Sequence, residues 1–275
     1  MKFTKPRLND TFTITSAPEW PSIKLETDQT GSHTWNWTIE WGKFKKSGKE
    51  TTSGNTWDAK DVITNFGGKL TVHAEANKSS ASTSVKIVST NPTDVAVKQY
   101  LASKANSVGF DKIIQHESKF KHFNAKKEPI KTFDNGYGMC QLTTPTPTFE
   151  QIWNWKKNVD GGLALFDEKR LSAIAYLGQS QRSYTSEQLK YEAVCRWNGG
   201  KYHEWDAQKL KWVRKANILC DTETGNIGWD LDDPENAGKT EANLHKQDKA
   251  SYSKAPDSNA DWEYSGICYA DNILK

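Results

Sequence analysis

The sequence predicts an α+β chain of two domains, an all-β domain over residues 1–92 and a mainly α domain over 93–275. Three observations carry this. His33 to Trp41 (HTWNWTIEW) sets Trp35, Trp37, Ile39 and Trp41 at alternate positions, the period of a strand with one apolar face. Ser89 to Thr93 (STNPT) interrupts the extended pattern, because Pro92 lacks the N–H a ladder needs and Thr93 is a good helix cap. Beyond it the period turns helical, with Phe110, Ile113 and Ile114 at i, i+3 and i+4.

Within 1–92, Thr11–Thr15 and Ser22–Glu26 alternate in the same way, and Lys69–Ala76 (KLTVHAEA) and Ser84–Val88 (SVKIV) repeat the pattern. Ser47-Gly48, Ser53-Gly54 and Gly67-Gly68 supply turn residues. Short strands with regular turns predict a β-sandwich of immunoglobulin-like type. The Trp face reads as core, since a half-buried strand needs one apolar face. Few apolar signals cross Asn91-Pro92-Thr93, so the two domains are expected to separate there.

In 93–275, Thr93 caps a helix through Tyr100 and Leu101, and Phe110 to Phe120 forms the next. Lys121 to Phe133 is charged and loop-like, and Pro145 and Pro147 bar a regular helix. Helix resumes near Phe149 to Trp155, and Asn158-Val159-Asp160-Gly161-Gly162 opens a helix to about Leu177. Thr185 and Gln188 have capping-box spacing ahead of an apolar face of Leu189, Ala193, Val194 and Trp197. Residues 201–262 are polar, with scattered Trp205, Trp212, Trp229 and Trp262. A structureless loop of that length is unusual, so an ordered insertion with little regular structure is expected.

Glu117 is the chemical centre of this reading. It continues the Phe110–Ile114 stripe at i+7, where an apolar residue is expected. A charged carboxylate on a buried stripe is costly, which favours the protonated state that a general acid starts from. Ser118 follows, then a polar loop, Asp134, and the Gly136-Tyr137-Gly138 turn into Met139, Cys140 and Gln141. Glycines on both sides of an aromatic residue let a backbone pass close to a ligand.

These residues resemble the lytic transglycosylase and goose-type lysozyme superfamily. Its Glu-Ser pair ending a helix is matched by Glu117-Ser118, and its Gly-Leu-Met-Gln segment by Gly138-Met139-Cys140-Gln141. Its Tyr-Asn-Ala-Gly segment is matched by Trp197-Asn198-Gly199-Gly200, with Trp for the usual Tyr, and its late Tyr by Tyr269. The resemblance implies that 93–275 is a lysozyme-like domain, with 201–262 inserted. It implies cleavage of peptidoglycan glycan strands between N-acetylmuramic acid and N-acetylglucosamine, with Glu117 as general acid and then base. Ser118, Gln141 and Asn198 would hold the sugar, Tyr137 and Trp197 would wall the groove, and the Tyr269 hydroxyl would approach Glu117.

Asp134 decides between two products. Inverting hydrolysis wants a second carboxylate about 6.5–9.5 Å from the acid, and goose-type lysozymes carry an Asp near this place. Lytic transglycosylases lack it, and the sugar's own 6-hydroxyl attacks, leaving a 1,6-anhydromuramoyl end. The second outcome is preferred here, since Asp134 sits among glycines as an ordinary turn Asp would. A hydrolytic muramidase using Asp134 and a non-catalytic wall-binding module are the alternatives. No cofactor and no metal is expected.

The totals fit this reading without requiring it. The chain has 275 residues and a net charge of +3, which gives no case for nucleic acid. No apolar run approaches a membrane span. The twelve Trp residues suit core packing before sugar stacking. Of the four cysteines, Cys140 and Cys195 sit in apolar segments and read as buried thiols, while Cys220 and Cys268 could pair in an oxidising compartment. His116 or His122 with Cys140 or Cys195 would be a thiol-peptidase pairing, disfavoured because neither Cys opens a helix. The first residues, MKFTKPRLNDTFTI, contain no apolar signal-peptide core. An enzyme acting on the wall of a target cell would then be expected to travel as cargo, as a type VI secretion effector or a phage tail or lysis protein does. An effector of that kind implies an immunity protein in its producer. Spacing, docking or wall contact is the role expected of the β-domain.

Overall fold

The computed structural model describes residues 1–133, 135–222, 225, 228–243 and 264–275. They form two compact units, one of Met1–Tyr100 with Glu117–Gly162, the other of Leu101–His116 with Leu163–Lys275. The divisions fall inside three helices, α1 (Asp94–Ala102), α2 (Phe110–Ser118) and α4 (Trp155–Leu177). No helix among the described residues is long and apolar enough to cross a membrane.

The first unit is built on a five-stranded mixed sheet in the order β2 (Thr11–Ile14), β8 (Ser79–Ser89), β7 (Gly68–Ala76), β4 (His33–Trp41), β5 (Phe44–Thr52). β2 runs parallel to β8, and the other pairs are antiparallel. A second sheet orders β1 (Phe3–Lys5), β3 (Lys24–Thr27) and β6 (Thr56–Asp58). The period-two reading of β4 holds, with Trp35, Trp37 and Ile39 buried. Strand β5 escapes the sequence because it is a polar edge strand carrying Lys45, Lys46 and Lys49, and Gly48 in it reads as a turn. Gly48 lies opposite Trp37, and a Cβ there would stand 2.4 Å from the indole. The position therefore needs Gly for packing.

The expected fold class is corrected here. The β part is not a self-contained immunoglobulin-like sandwich. Its sheet is mixed, and Phe123, Tyr137, Phe149, Ile152 and Trp153 belong to the same core as Trp35, Leu70 and Ile87. Trp153 meets Trp41 edge-on at 6.0 Å, and a Cβ on Gly67 would stand 2.2 Å from its ring. Asn91 Oδ1 accepts the His122 and Phe123 N–H groups at 2.7 and 2.8 Å, and Trp155 Nε1 donates to the Ser16 carbonyl at 2.8 Å. Helix α3 (Phe149–Trp153), opened by a Thr148–Gln151 capping box, carries three of these core side chains. Periodicity finds each apolar face but not its partner, so this shared core is invisible in the sequence.

The second unit combines helices with short strands. Helix α5 (Ser186–Asn198) starts at the expected Thr185–Gln188 capping box and ends at Gly199, whose φ is +114°. It packs with α6 (Ile267–Leu274). The insertion contains regular strands: a hairpin of β9 (His203–Asp206) and β10 (Lys211–Arg214), and the strands β11 (Ile218–Cys220) and β12 (Gly228–Asp230), which form a sheet with β13 (Tyr264–Ser265) just beyond it. HEWD and KWVR alternate, but over too few residues to stand out. Over all the described residues helix and strand reach 31% and 29%, so the fold is mixed. A disulfide joins Cys220 to Cys268, tying β11 to α6. Trp262 lies outside the described residues.

Candidate functional site

Helix α2 carries Glu117 and Ser118 as its last residues. Lys119 and Phe120 then adopt φ of +51° and +57°, which turns the chain and buries the Phe120 ring. Next comes His122, fully buried and held at both ring nitrogens. Its Nδ1 accepts the Met139 N–H at 3.2 Å, so Nε2 carries the proton and donates to the Ile152 carbonyl at 2.8 Å. Burial lowers its pKa from 6.5 to about 4, against the opposing effect of the Ile152 hydrogen bond.

The Gly-Tyr-Gly segment closes around this ring. Tyr137 exchanges both backbone hydrogen bonds with Leu142, and Gly138 N–H donates to the Ile130 carbonyl at 3.0 Å. Gly138 has φ +71°, and a Cβ there would stand 2.4 Å from His122 Cε1 and 2.7 Å from Asn158 Nδ2. Asn158, on α4, accepts the Cys140 N–H at 3.0 Å and donates to the Tyr137 carbonyl at 3.0 Å. Two residues on, Asp160 accepts the Tyr100 hydroxyl at 2.9 and 2.8 Å on its two oxygens.

Cys140 links this scaffold to Glu117. Its buried thiol is pushed far above the ordinary range, first by desolvation and then by the charges of Glu117 and Asp160. The Gly-Met-Cys-Gln segment and the start of α4 therefore meet through Asn158 in the first unit, and the Glu117 charge acts on the Cys140 thiol there. Sequence reasoning weighed His122 only as the base of a thiol peptidase, and named neither Asn158 nor Asp160 as a site residue. Asn158 carried a signal, a polar residue fixed at the start of an apolar helix, but not its targets.

Several expected placements change. Glu117 is exposed, so the argument from a buried stripe falls away. The helix ends within a residue of it, and the stripe's face is no longer covered there. Tyr137 does not wall a groove: its ring is 2% exposed, edge-on to Trp41 and Phe44 at 6.2 and 5.6 Å. Gln141 is half-buried with φ +50°, and its Nε2 donates to the Gly138 carbonyl at 2.8 Å, a loop-holding role. Ser118 is half-buried. Asp134 lies outside the described residues.

The other expected site residues belong to the second unit. Trp197 is half-buried, 5.5 Å from Phe110 and 6.3 Å from Phe166 by ring centroid. Asn198 is the last residue of α5. Tyr269 is buried on α6 and meets His116 edge-on at 5.3 Å. The thiol-peptidase pairing is not assembled. His122 spends both nitrogens on backbone, and burial pushes the Cys195 thiol up as it does that of Cys140. No protein-family model matches the chain, and no curated protein matches it.

Proposed function

We propose that this protein cleaves peptidoglycan glycan strands between N-acetylmuramic acid and N-acetylglucosamine, with Glu117 as general acid and then general base. One observation carries the reading: the charge of Glu117 is among those that raise the buried Cys140 thiol, which lies in the Gly138–Gln141 segment. Exposure of Glu117 suits a substrate that arrives as a long polymer from solvent. The loop next to it is fixed by Asn158 and His122, which would let a glycan meet a rigid wall.

In the proposed reaction the protonated Glu117 gives its proton to the glycosidic oxygen as the bond from that oxygen to muramic acid C1 breaks. The 6-hydroxyl oxygen of the same sugar then bonds to C1, and its proton returns to the Glu117 carboxylate. The product is a 1,6-anhydromuramoyl end, and the enzyme finishes in its starting state. The Cys220–Cys268 disulfide supports action in an oxidising compartment, where peptidoglycan also lies.

Turbidity loss of purified cell walls tests the reading. Glu117→Gln keeps its circular dichroism spectrum and loses lytic rate by at least ~10²-fold, the scale of acid–base catalysis. A folded variant with unchanged activity removes Glu117 from the chemistry.

A further inference from the structure

Strand β5 is a free edge of the five-stranded sheet and pairs with β4 alone. Its register runs unbroken from Trp41 opposite Phe44 to His33 opposite Thr52. The two-residue turn Gly42-Lys43 closes on a hydrogen-bonded pair, Trp41 with Phe44. Counting on by twos, Lys46, Gly48 and Glu50 bond to β4, and the N–H and C=O groups of Lys45, Ser47, Lys49 and Thr51 point away from it. The far side of the sheet confirms the phase. Lys45 shares a cross-strand row with Glu40, Lys69 and Lys86, and the Lys86 N–H points outward in the same way, donating to the Asp10 carbonyl at 2.9 Å. The outward groups of β5 have no hydrogen-bond partner among the described residues.

Sheet edges are commonly closed by shortness, Pro or a bulge. Strand β5 has nine residues, no Pro and no break in register. Its guard is charge: residues 43–52 hold Lys43, Lys45, Lys46 and Lys49 against Glu50 alone. Lys46 lies over the Phe66 ring at 5.0 Å. Lys45 and Lys49 are exposed on the polar face of the sheet and form no ion pair among the described residues. Antiparallel pairing with a second copy of β5 about Ser47 would set Lys45 against Lys49, which is unfavourable, whereas a strand with carboxylates at those places is favoured. The edge is therefore selective, not closed. At its middle the Trp37 ring fills the space over Gly48, with Cζ2 2.4 Å from where a Cβ would stand, so an apolar residue suits the position opposite.

We propose that β5 is a docking edge for an extended acidic segment of a partner protein, which joins the sheet as an antiparallel strand with carboxylates opposite Lys45 and Lys49. Outward N–H and C=O groups alternating at strand spacing fit a polypeptide backbone and no other polyanion. The surface does not depend on glycan cleavage by Glu117.

Amide hydrogen exchange of the ¹⁵N-labelled full chain tests this, with the peptide acetyl-TSKEVTSEV-amide as probe. In antiparallel register its two glutamates face Lys49 and Lys45 and its first valine faces Gly48. At millimolar peptide, exchange at Lys45, Ser47, Lys49 and Thr51 is expected to slow at least ~10-fold, while Lys46, Gly48 and Glu50, already bonded to β4, change far less. The same peptide N-methylated at the residues facing Ser47 and Lys49 has no such effect. Lys45→Glu combined with Lys49→Glu, both exposed, weakens binding at least ~10-fold and shifts preference to the peptide with lysines in place of its glutamates. Absence of the alternating protection overturns the proposal. Equal binding of the N-methylated peptide also overturns it, since the surface would then take any polyanion by charge alone.

Discussion

Asn158 holds Cys140 from the side, accepting its N–H at 3.0 Å while the same amide donates to the Tyr137 carbonyl at 3.0 Å. One side chain therefore closes both ends of the Gly138–Met139 turn next to Glu117. Replacing it with Ala leaves the buried Cys140 N–H unpaired, at a cost of about 1–3 kcal/mol, while the Tyr137 carbonyl keeps the Leu142 N–H. Asn158→Ala is expected to lose about 1–3 kcal/mol in urea unfolding. A loss below about 1 kcal/mol would mean that water or a shifted loop replaces the amide.

His122 makes stability depend on pH in a window that can be worked out. The unfolded chain takes up a proton near 6.5, while the buried ring waits until about 4. Between those values the unfolded state binds more protons, so stability rises with pH. The contribution is complete above 6.5 and falls away towards pH 4, by about 3 kcal/mol. Other groups titrate too, so the comparison is with His122→Gln, which keeps an N–H donor. Its stability should lose this part of the pH slope, and parallel curves for the two proteins would contradict the assignment.

The Cys220–Cys268 disulfide closes a loop with a sequence separation of 48. Loop-closure entropy for that length corresponds to about 4 kcal/mol of stabilisation. The paired substitution Cys220→Ser with Cys268→Ser should lower unfolding free energy by about that much, and reductant should do the same to the parent protein. Insensitivity to reductant would show that α6 holds its place without the link.

The product distinguishes transglycosylation from hydrolysis. Mass spectrometry of digested wall is expected to find 1,6-anhydromuramoyl ends, lighter by one water than reducing ends. Intramolecular attack needs no positioned water and gains from proximity. Asp134→Asn should then leave activity within a few-fold. Reducing ends together with loss of activity in Asp134→Asn would assign Asp134 as the water-activating base of a muramidase.

Local structure was largely legible in the residues. Period two marks β4 through Trp35, Trp37 and Ile39, the Thr185–Gln188 pair marks the start of α5, and STNPT marks the end of β8. Each is set by interactions within a few residues, so sequence alone determined it. Tertiary structure decided what each face meets. Trp153 and Tyr137 could have served a helical core or a sugar groove, and they complete the core of the β-sheet because their partners Trp41 and Phe44 lie far away in the chain. Glu117 lay on an apolar stripe by spacing yet is exposed, since a helical period says which residues share a face, not where the covering of that face stops. Glu192 and His203 sit in chain segments with different periods, and only folding brings a buried carboxylate to an imidazole across a strand and a helix.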